Sequence, residues 1–230
     1  MGKVRVDRRE LLRFMNSGVQ EANGHHTAMT GFMGEPLAVG LILHSLRSEG
    51  KPAEFVSWKV TPGMRKGSRL DAWIFDGEGT LYQTEIKMWA GNAIGGLRLK
   101  DGLGEDELLR LGQKQWLSRI WNEERQTFHA PQVGKVLGTM QVPDRFKDSE
   151  RFKIEPLLCL WWLVRPAETE AGAWFCLPVR DEHFECVHVL SLTRYLMGLS
   201  EDMLELEMPL LASRFEWLQR IFPDWDPERG

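Results

Sequence analysis

Asp71, Glu85 and Lys87 have the residue types and the spacing that a reaction at a phosphate requires. One residue separates Glu85 from Lys87. On an extended strand both side chains therefore point to the same face, because successive side chains alternate. Asp76-Gly77-Glu78-Gly79 reads as a turn joining two strands, Leu70 to Phe75 and Thr80 to Trp89. If the loop proper is Gly77 to Gly79, Asp76 lies across from Thr80 and Asp71 across from Glu85. Directly opposed residues hold their Cβ atoms about 4.5–5.5 Å apart. That register gathers two carboxylates and one ammonium on one face, and a slip of one residue would undo it. Close carboxylates repel, and a divalent cation relieves the repulsion; Mg²⁺ takes oxygen ligands of this kind. Such an ion polarises a phosphate and acidifies water, while Lys87 would orient the water or stabilise the charge that develops. Acidic residues beside a turn are often no more than solvated surface, and lysine commonly blunts an edge strand. The neighbours argue for more. Leu70, Ala72, Trp73, Ile74, Ile86, Met88 and Trp89 make both strands read as central and buried, where charge is costly.

The rest of the chain must position this hairpin. Asp7 suits the N-cap of a first helix through Arg13 to Met15, with Leu11, Leu12, Phe14 and Met15 toward a core, and Asn23-Gly24 ends it. A second helix is expected over Glu35 to Arg47, with Pro36 in its first turn and Gly50 and Pro52 as its stop. Phe55 to Val60 reads as a strand, so the hairpin has a neighbour. Gly91 to Gly104 is glycine-rich and expected to be mobile. A helix from Glu105 to Glu124 follows, carrying Leu108, Leu109, Leu111, Trp116, Leu117, Ile120 and Trp121. Ile154 to Val164, Ala173 to Val179 and Cys186 to Leu190 read as strands. Ser191 or Thr193 starts a helix to Leu199, and Pro209 to Phe222 is an amphipathic closing helix. The order predicts an α/β fold with a central mixed β-sheet flanked by helices.

The composition allows this. The chain has 230 residues, 43% of them hydrophobic, with ten Trp and eleven Phe, enough to bury one large core, and most of the Trp read as core. One domain over 1–230 is expected. No apolar run reaches the ~18 residues of a membrane helix, so no membrane partner is expected. No apolar stretch follows the charged N-terminus, so no signal peptide is read there. Three Cys without such a signal point to reduced thiols and a cytoplasmic protein. A net charge of −4 excludes a nonspecific nucleic-acid coat, but not an enzyme with a locally basic groove. Base is in fact concentrated at Lys59, Arg65, Lys66 and Arg69, and again at Lys87, Arg98 and Lys100, while Ser200 to Glu207 carries only acid.

Gly67-Ser-Arg-Leu-Asp71-Ala-Trp-Ile followed by Thr84-Glu85-Ile86-Lys87 resembles the PD-(D/E)XK nuclease superfamily. There an Asp on one strand and Glu-X-Lys on the next form the site. Leu70 departs from the nominal pattern, which has Pro at that position. The family often adds a Glu on the preceding helix, where Gly31-Phe-Met-Gly-Glu35 stands, and a Gln on the following helix, where Gln113 and Gln115 fall. The resemblance covers roughly Gly31 to Trp121. It implies a restriction-endonuclease-like core at about 27–125, with additional strands and helices to 222. It implies a Mg²⁺-dependent nuclease in which Mn²⁺ substitutes. Asp71, Glu85, the Ile86 carbonyl and Glu35 would hold the metal, Lys87 would serve the nucleophile, and Gln113 or Gln115 would touch the scissile strand or its water. DNA is the favoured substrate. RNA cleavage by the same site, or an inactive nucleic-acid- or protein-binding relative, are the alternatives, and a homodimer is a compatible assembly.

Other residues read more plainly. Arg65, Lys66 and Arg69 could contact phosphates or form a solvated basic turn, and Arg98 and Lys100 could clamp substrate or lie on open surface. His25-His26, in a polar loop, reads as incidental. Cys176, His183, Cys186 and His188 lack the close ligand pairs of structural zinc sites. Cys176 and Cys186 instead read as small apolar residues of buried strands, so no zinc is expected.

Overall fold

The structure is a computed structural model that describes residues 3–16, 25–63, 69–88, 103–147, 151–164 and 172–208, and positions 211, 214, 216, 217, 220 and 221 of a closing helix. At 16, 25–31 and 59 it describes the backbone alone. In chain order the elements are β1 (Lys3–Asp7), α1 (Arg8–Asn16), α2 (His25–Ser48), β2 (Glu54–Val60), β3 (Leu70–Phe75), β4 (Thr80–Lys87) and α3 (Glu105–Gln115), which runs on into a π-helical turn at Trp116–Ile120. Then come β5 (Trp121–Asn122), β6 (Thr127–Phe128), α4 (Pro131–Gly134) with a 3-10 turn at Lys135–Leu137, β7 (Lys153–Leu160), β8 (Trp174–Pro178), β9 (Cys186–Ser191), α5 (Leu192–Gly198) and β10 (Met203–Glu207).

The main sheet has six strands in the order β2-β3-β4-β7-β9-β8. The β4–β7 and β7–β9 pairs are parallel and the others antiparallel, so the sheet is mixed as expected. Side-chain alternation sends the sheet's apolar residues to two cores. On one face Ala72, Ile74, Tyr82, Ile86, Leu157 and Leu190 pack under α1, α2 and α5. On the other, Leu70, Trp73, Leu81, Leu158, Trp162 and Val189 pack under α3, the π-helical turn and the segment around Val133 and Val136. The described Trp residues mostly fill these cores: Trp73, Trp116, Trp121, Trp161 and Trp162 are buried. Among the described residues no helix is long and apolar enough to cross a membrane.

Several local expectations hold. Asp7 caps α1, its Oδ1 accepting from the N–H groups of Arg9 (2.9 Å) and Glu10 (3.0 Å). Gly50 ends the second helix in a left-handed conformation, φ 87°. Ser191 caps α5 through the N–H of Arg194.

Others are corrected. The second helix begins at His25, so His25-His26 belongs to a helix rather than a loop, and Pro36 sits in its interior. A proline there removes the N–H that would bond the carbonyl of Phe32, four residues earlier. Arg214 of the closing helix donates to that carbonyl instead, and its guanidinium lies 4.8 Å from the Phe32 ring centroid. A tertiary partner thus replaces the lost bond, and the helix continues. The helix expected to reach Glu124 ends at Ile120, and the chain folds back as the β5–β6 hairpin, closed by His129 N–H on the Ile120 carbonyl (2.8 Å) and by Asn122 Oδ1 accepting from Arg125 N–H (2.9 Å). The acidic segment Ser200 to Glu207 contributes β10, whose alternation buries Leu204 and Leu206 in the core while Met203 and Glu205 face out, and it pairs with β1; the ion pairs of Lys3 with Glu205 and of Arg47 with Glu207 lie at its surface.

Gly112 lets α3 pack tightly against the backbone just beyond β7. A Cβ there would lie 2.2 Å from the carbonyl oxygen of Leu163, a backbone atom that cannot swing aside. Gly112→Ala should therefore destabilise the protein by ~1–3 kcal/mol, the usual range for overpacking. A urea titration should show a lower midpoint at unchanged slope.

Candidate active site

The turn between β3 and β4 fixes the register on which the site depends. Asp76 Oδ1 accepts from the N–H groups of Glu78 (2.9 Å), Gly79 (2.9 Å) and Thr80 (2.8 Å). Gly77 and Gly79 adopt positive φ, 84° and 133°, and a Cβ at Gly77 would lie 2.5 Å from Pro52 Cγ. Phe75 then pairs with Leu81, Ile74 with Tyr82, Trp73 with Gln83 and Ala72 with Thr84. The next pair in that series is Asp71 with Glu85, as the hairpin reading expected. Asp71 Oδ2 accepts a 2.7 Å hydrogen bond from the Ile86 N–H. Ile86 thus holds Asp71 through its N–H, whereas the expectation assigned a role to its carbonyl.

Glu85 has no solvent exposure. It lies near the C-terminal end of β4, beside the parallel strand β7, and the Trp161 N–H donates to the Lys87 carbonyl at 3.0 Å. The carboxyl ends of parallel strands are where open α/β sheets collect their ligands. Lys87 reaches back to Glu85 Oε1. A second ammonium meets the other oxygen: Lys135 Nζ lies 2.8 Å from Oε2 and donates to the Arg69 carbonyl at 2.7 Å. Sequence reading missed Lys135, which lies 50 residues beyond Glu85 in the 3-10 turn. The signal for it is Gln83, a buried amide two positions before Glu85 on the same face, whose Nε2 donates to the Gly138 carbonyl at 2.9 Å and to that of Val136. Gln83 ties the turn that carries Lys135 to β4.

Burial pushes the Glu85 carboxyl up to about 7, and the Asp71 charge adds to this; Lys87 and Lys135 pull the other way without restoring the ordinary value. Glu35 comes from α2 on the other face of the sheet. Gly34 of that helix packs against the Met88 side chain just past β4, where a Cβ would lie 2.7 Å from the flexible methyl tip. The Glu35 residue is exposed at the rim, yet the surroundings of its carboxyl withdraw water. That loss of water, and then Asp71, raise its pKa, against Arg214, Lys87 and Lys135. Glu35, Asp71, Glu85 and Lys87 therefore share one electrostatic neighbourhood, and Arg214 and Lys135 join it.

Three carboxylates and three cations balance formally in this cluster. The balance is incomplete, because burial and the Asp71 charge hold the Glu85 carboxyl well above the ordinary range despite both lysines. An all-oxygen donor set with an uncompensated carboxylate suits a hard divalent cation such as Mg²⁺ or Mn²⁺. Asp71, Glu85 and Glu35 are the residues that would have to hold one, and their carboxylate oxygens do not all lie within 4.8 Å of one another, so binding would require their side chains to draw together.

The other expected site residues stand apart. Gln113 and Gln115 lie on α3, and among the described residues nothing joins them to the carboxylates. Their Oε1 atoms are buried and accept no hydrogen bond. Arg69 enters through its backbone, its residue exposed just before β3. Arg65, Lys66, Arg98 and Lys100 lie outside the described residues, as does most of the segment expected to be mobile.

Compared with protein-family models, curated proteins and solved structures, the chain matches none.

A carboxyl raised above its unfolded value binds more protons in the native state. Its contribution is therefore most favourable below the unfolded value of 4.5 and is lost as pH rises through about 7. In metal-free buffer Glu85→Gln should be more stable than the parent at pH 8, by on the order of 1–3 kcal/mol. The gap should close at pH 4. Denaturant midpoints across that range would expose an error in the sign.

Proposed function

We propose that this chain is a Mg²⁺-dependent nuclease of the restriction-endonuclease-like type that hydrolyses phosphodiester bonds, of DNA in the first instance. The observation that carries the reading is the meeting of Asp71 with Glu85 and Lys87 on paired strands, with Glu35 brought from the preceding helix. The central mixed sheet with helices on both faces supports it.

Asp71, Glu85 and Glu35, with the Ile86 carbonyl, would hold a divalent cation, Mg²⁺ or Mn²⁺, which would supply Lewis acidity toward the scissile phosphate. The side chains do the rest. Lys87 turns from Glu85 toward the attacking water and holds the negative charge that grows on the phosphate. Lys135, tethered to the Arg69 carbonyl, provides a second positive charge on the same face. Arg214 beside Glu35 and Arg69 at the rim meet backbone phosphates, which fix a substrate's position without reading its sequence.

A second reading is a relative that binds nucleic acid without cutting it. The ion pairs of Lys87 and Lys135 with Glu85, which partly neutralise that carboxylate without a cation, favour it.

Incubation with supercoiled plasmid, single-stranded DNA and RNA, in Mg²⁺, Mn²⁺ or EDTA, separates these readings. Metal-dependent cutting should fall by at least ~100-fold in Asp71→Ala and in Lys87→Ala. Preference among the substrates decides between DNA and RNA. Binding with no cutting of any substrate would select the second reading, and cutting that survives both substitutions would remove the site assignment.

A further inference from the structure

A second constellation lies on the same sheet, at its opposite edge. β8 and β9 pair antiparallel, with Cys176 across from His188 and Pro178 across from Cys186. Cys186 and His188 are two apart on β9, so they share a face, and Cys176 faces His188 from β8. Val187 and Val189 turn to the other face, into its core. The three side chains are thus gathered by strand pairing rather than by a loop. Their ligand atoms, two Sγ and a ring nitrogen, all lie within 4.8 Å of one another. Cys176 is exposed, and Cys186 and His188 are half-buried. This corrects two expectations, that both cysteines are buried and that they are free thiols. They are joined as a disulfide, and Cys159, in the core, is the free cysteine. His183 stays in the preceding loop and takes no part.

Behind this cluster stands Glu155, a carboxylate only 6% exposed on β7. Its Oε2 lies 3.8 Å from His188 Nε2, and the edge of the His188 ring meets Tyr82, with centroids 5.4 Å apart. Imidazoles that ligate metals commonly direct their second nitrogen at a carboxylate, which fixes the ring and raises its basicity. At 3.8 Å Glu155 attracts the ring without a direct hydrogen bond, and a ring nitrogen of His188 lies within 4.8 Å of both sulfurs.

We propose that Cys176, Cys186 and His188 form a redox-gated zinc site. As a disulfide the sulfurs hold β8 to β9 and bind no ion. A small dithiol reduces the bond: its two electrons and two protons convert the disulfide to two thiols, and the dithiol leaves as its own disulfide. Zn²⁺ then displaces the two thiol protons and is held by two thiolates and the imidazole, with its fourth position open to water. A disulfide-class oxidant reverses the sequence and expels the ion. Thiolate and imidazole select Zn²⁺ over Mg²⁺, whereas the Asp71–Glu85 cluster, all oxygen, has the opposite preference. This inference is independent of the nuclease reading.

The test uses the full chain carrying Asp71→Ala and Cys159→Ser, so that neither the carboxylate cluster nor the buried thiol contributes. Dithiol-reduced and oxidised samples are loaded with Zn²⁺, desalted and assayed for retained metal. Parallel samples receive Co²⁺ and are read for thiolate-to-cobalt charge-transfer absorption. The reduced protein should retain about one ion and show the band, as a single thiolate site requires, and the oxidised protein should show neither. Cys176→Ser and Cys186→Ser should each lose the band while their circular dichroism stays unchanged. Glu155→Gln should weaken Zn²⁺ binding by about 10–100-fold, the range seen for partners behind a ligand. No band in the reduced protein, equal uptake by the oxidised protein, or a full band in both serine variants would overturn the proposal.

Discussion

A carboxylate with no solvent exposure, Glu85, stands in a central strand, and much of the surrounding structure answers it. Burying an unpaired charge costs several kcal/mol. The fold meets that cost from three directions. Lys87 lies two residues along the same strand, where alternation places it on the same face. Lys135 arrives from a distant turn, held there by Gln83 and by the Arg69 carbonyl. Asp71 works in the opposite sense: its charge adds to the burden on Glu85, and it stays because the Ile86 N–H binds it. A cluster built for stability alone would have no use for that second carboxylate beside the first.

Glu35 depends on a different constraint, the proline that follows it. Pro36 leaves the Phe32 carbonyl without its helical partner, and Arg214 supplies the missing donor. The same guanidinium lowers the electrostatic burden on Glu35. One side chain of the closing helix thus repairs the α2 backbone and balances charge at the rim of the site. The C-terminal part of the chain is thereby coupled to residues near position 35.

The sheet presents two chemically unlike groups of side chains by the same device. At β3 and β4, cross-strand pairing and alternation collect oxygen donors. At β8 and β9 they collect sulfur and nitrogen. Zinc ligands carried on loops come in close sequence pairs, which is why a search for such pairs passes over Cys176, ten residues from Cys186. On paired strands, sequence distance between ligands carries no such meaning. Only the pairing decides which residues meet.

The sequence by itself determined the local half of this protein. The Asp76 turn with its two glycines, the alternation of Glu85 and Lys87, the Asp7 and Ser191 caps and the apolar strands are each dictated by steric and hydrogen-bonding rules that act over a few residues, and the α/β class with its mixed sheet follows from their order. The tertiary structure decided what depends on partners far along the chain. Pro36 reads as a helix start until Arg214 takes the Phe32 carbonyl. The segment from Ser200 to Glu207 reads as an acidic run until β1 pairs with it and Leu204 and Leu206 enter the core. Lys135 has no motif of its own and enters the site only because Gln83 binds the turn that carries it. Two cysteines that read as buried strand residues become a disulfide-bonded pair, Cys176 exposed and Cys186 half-buried, once β8 proves to be an edge strand beside β9. In each case the deciding free energy comes from a contact between residues remote in sequence, and no local pattern encodes it.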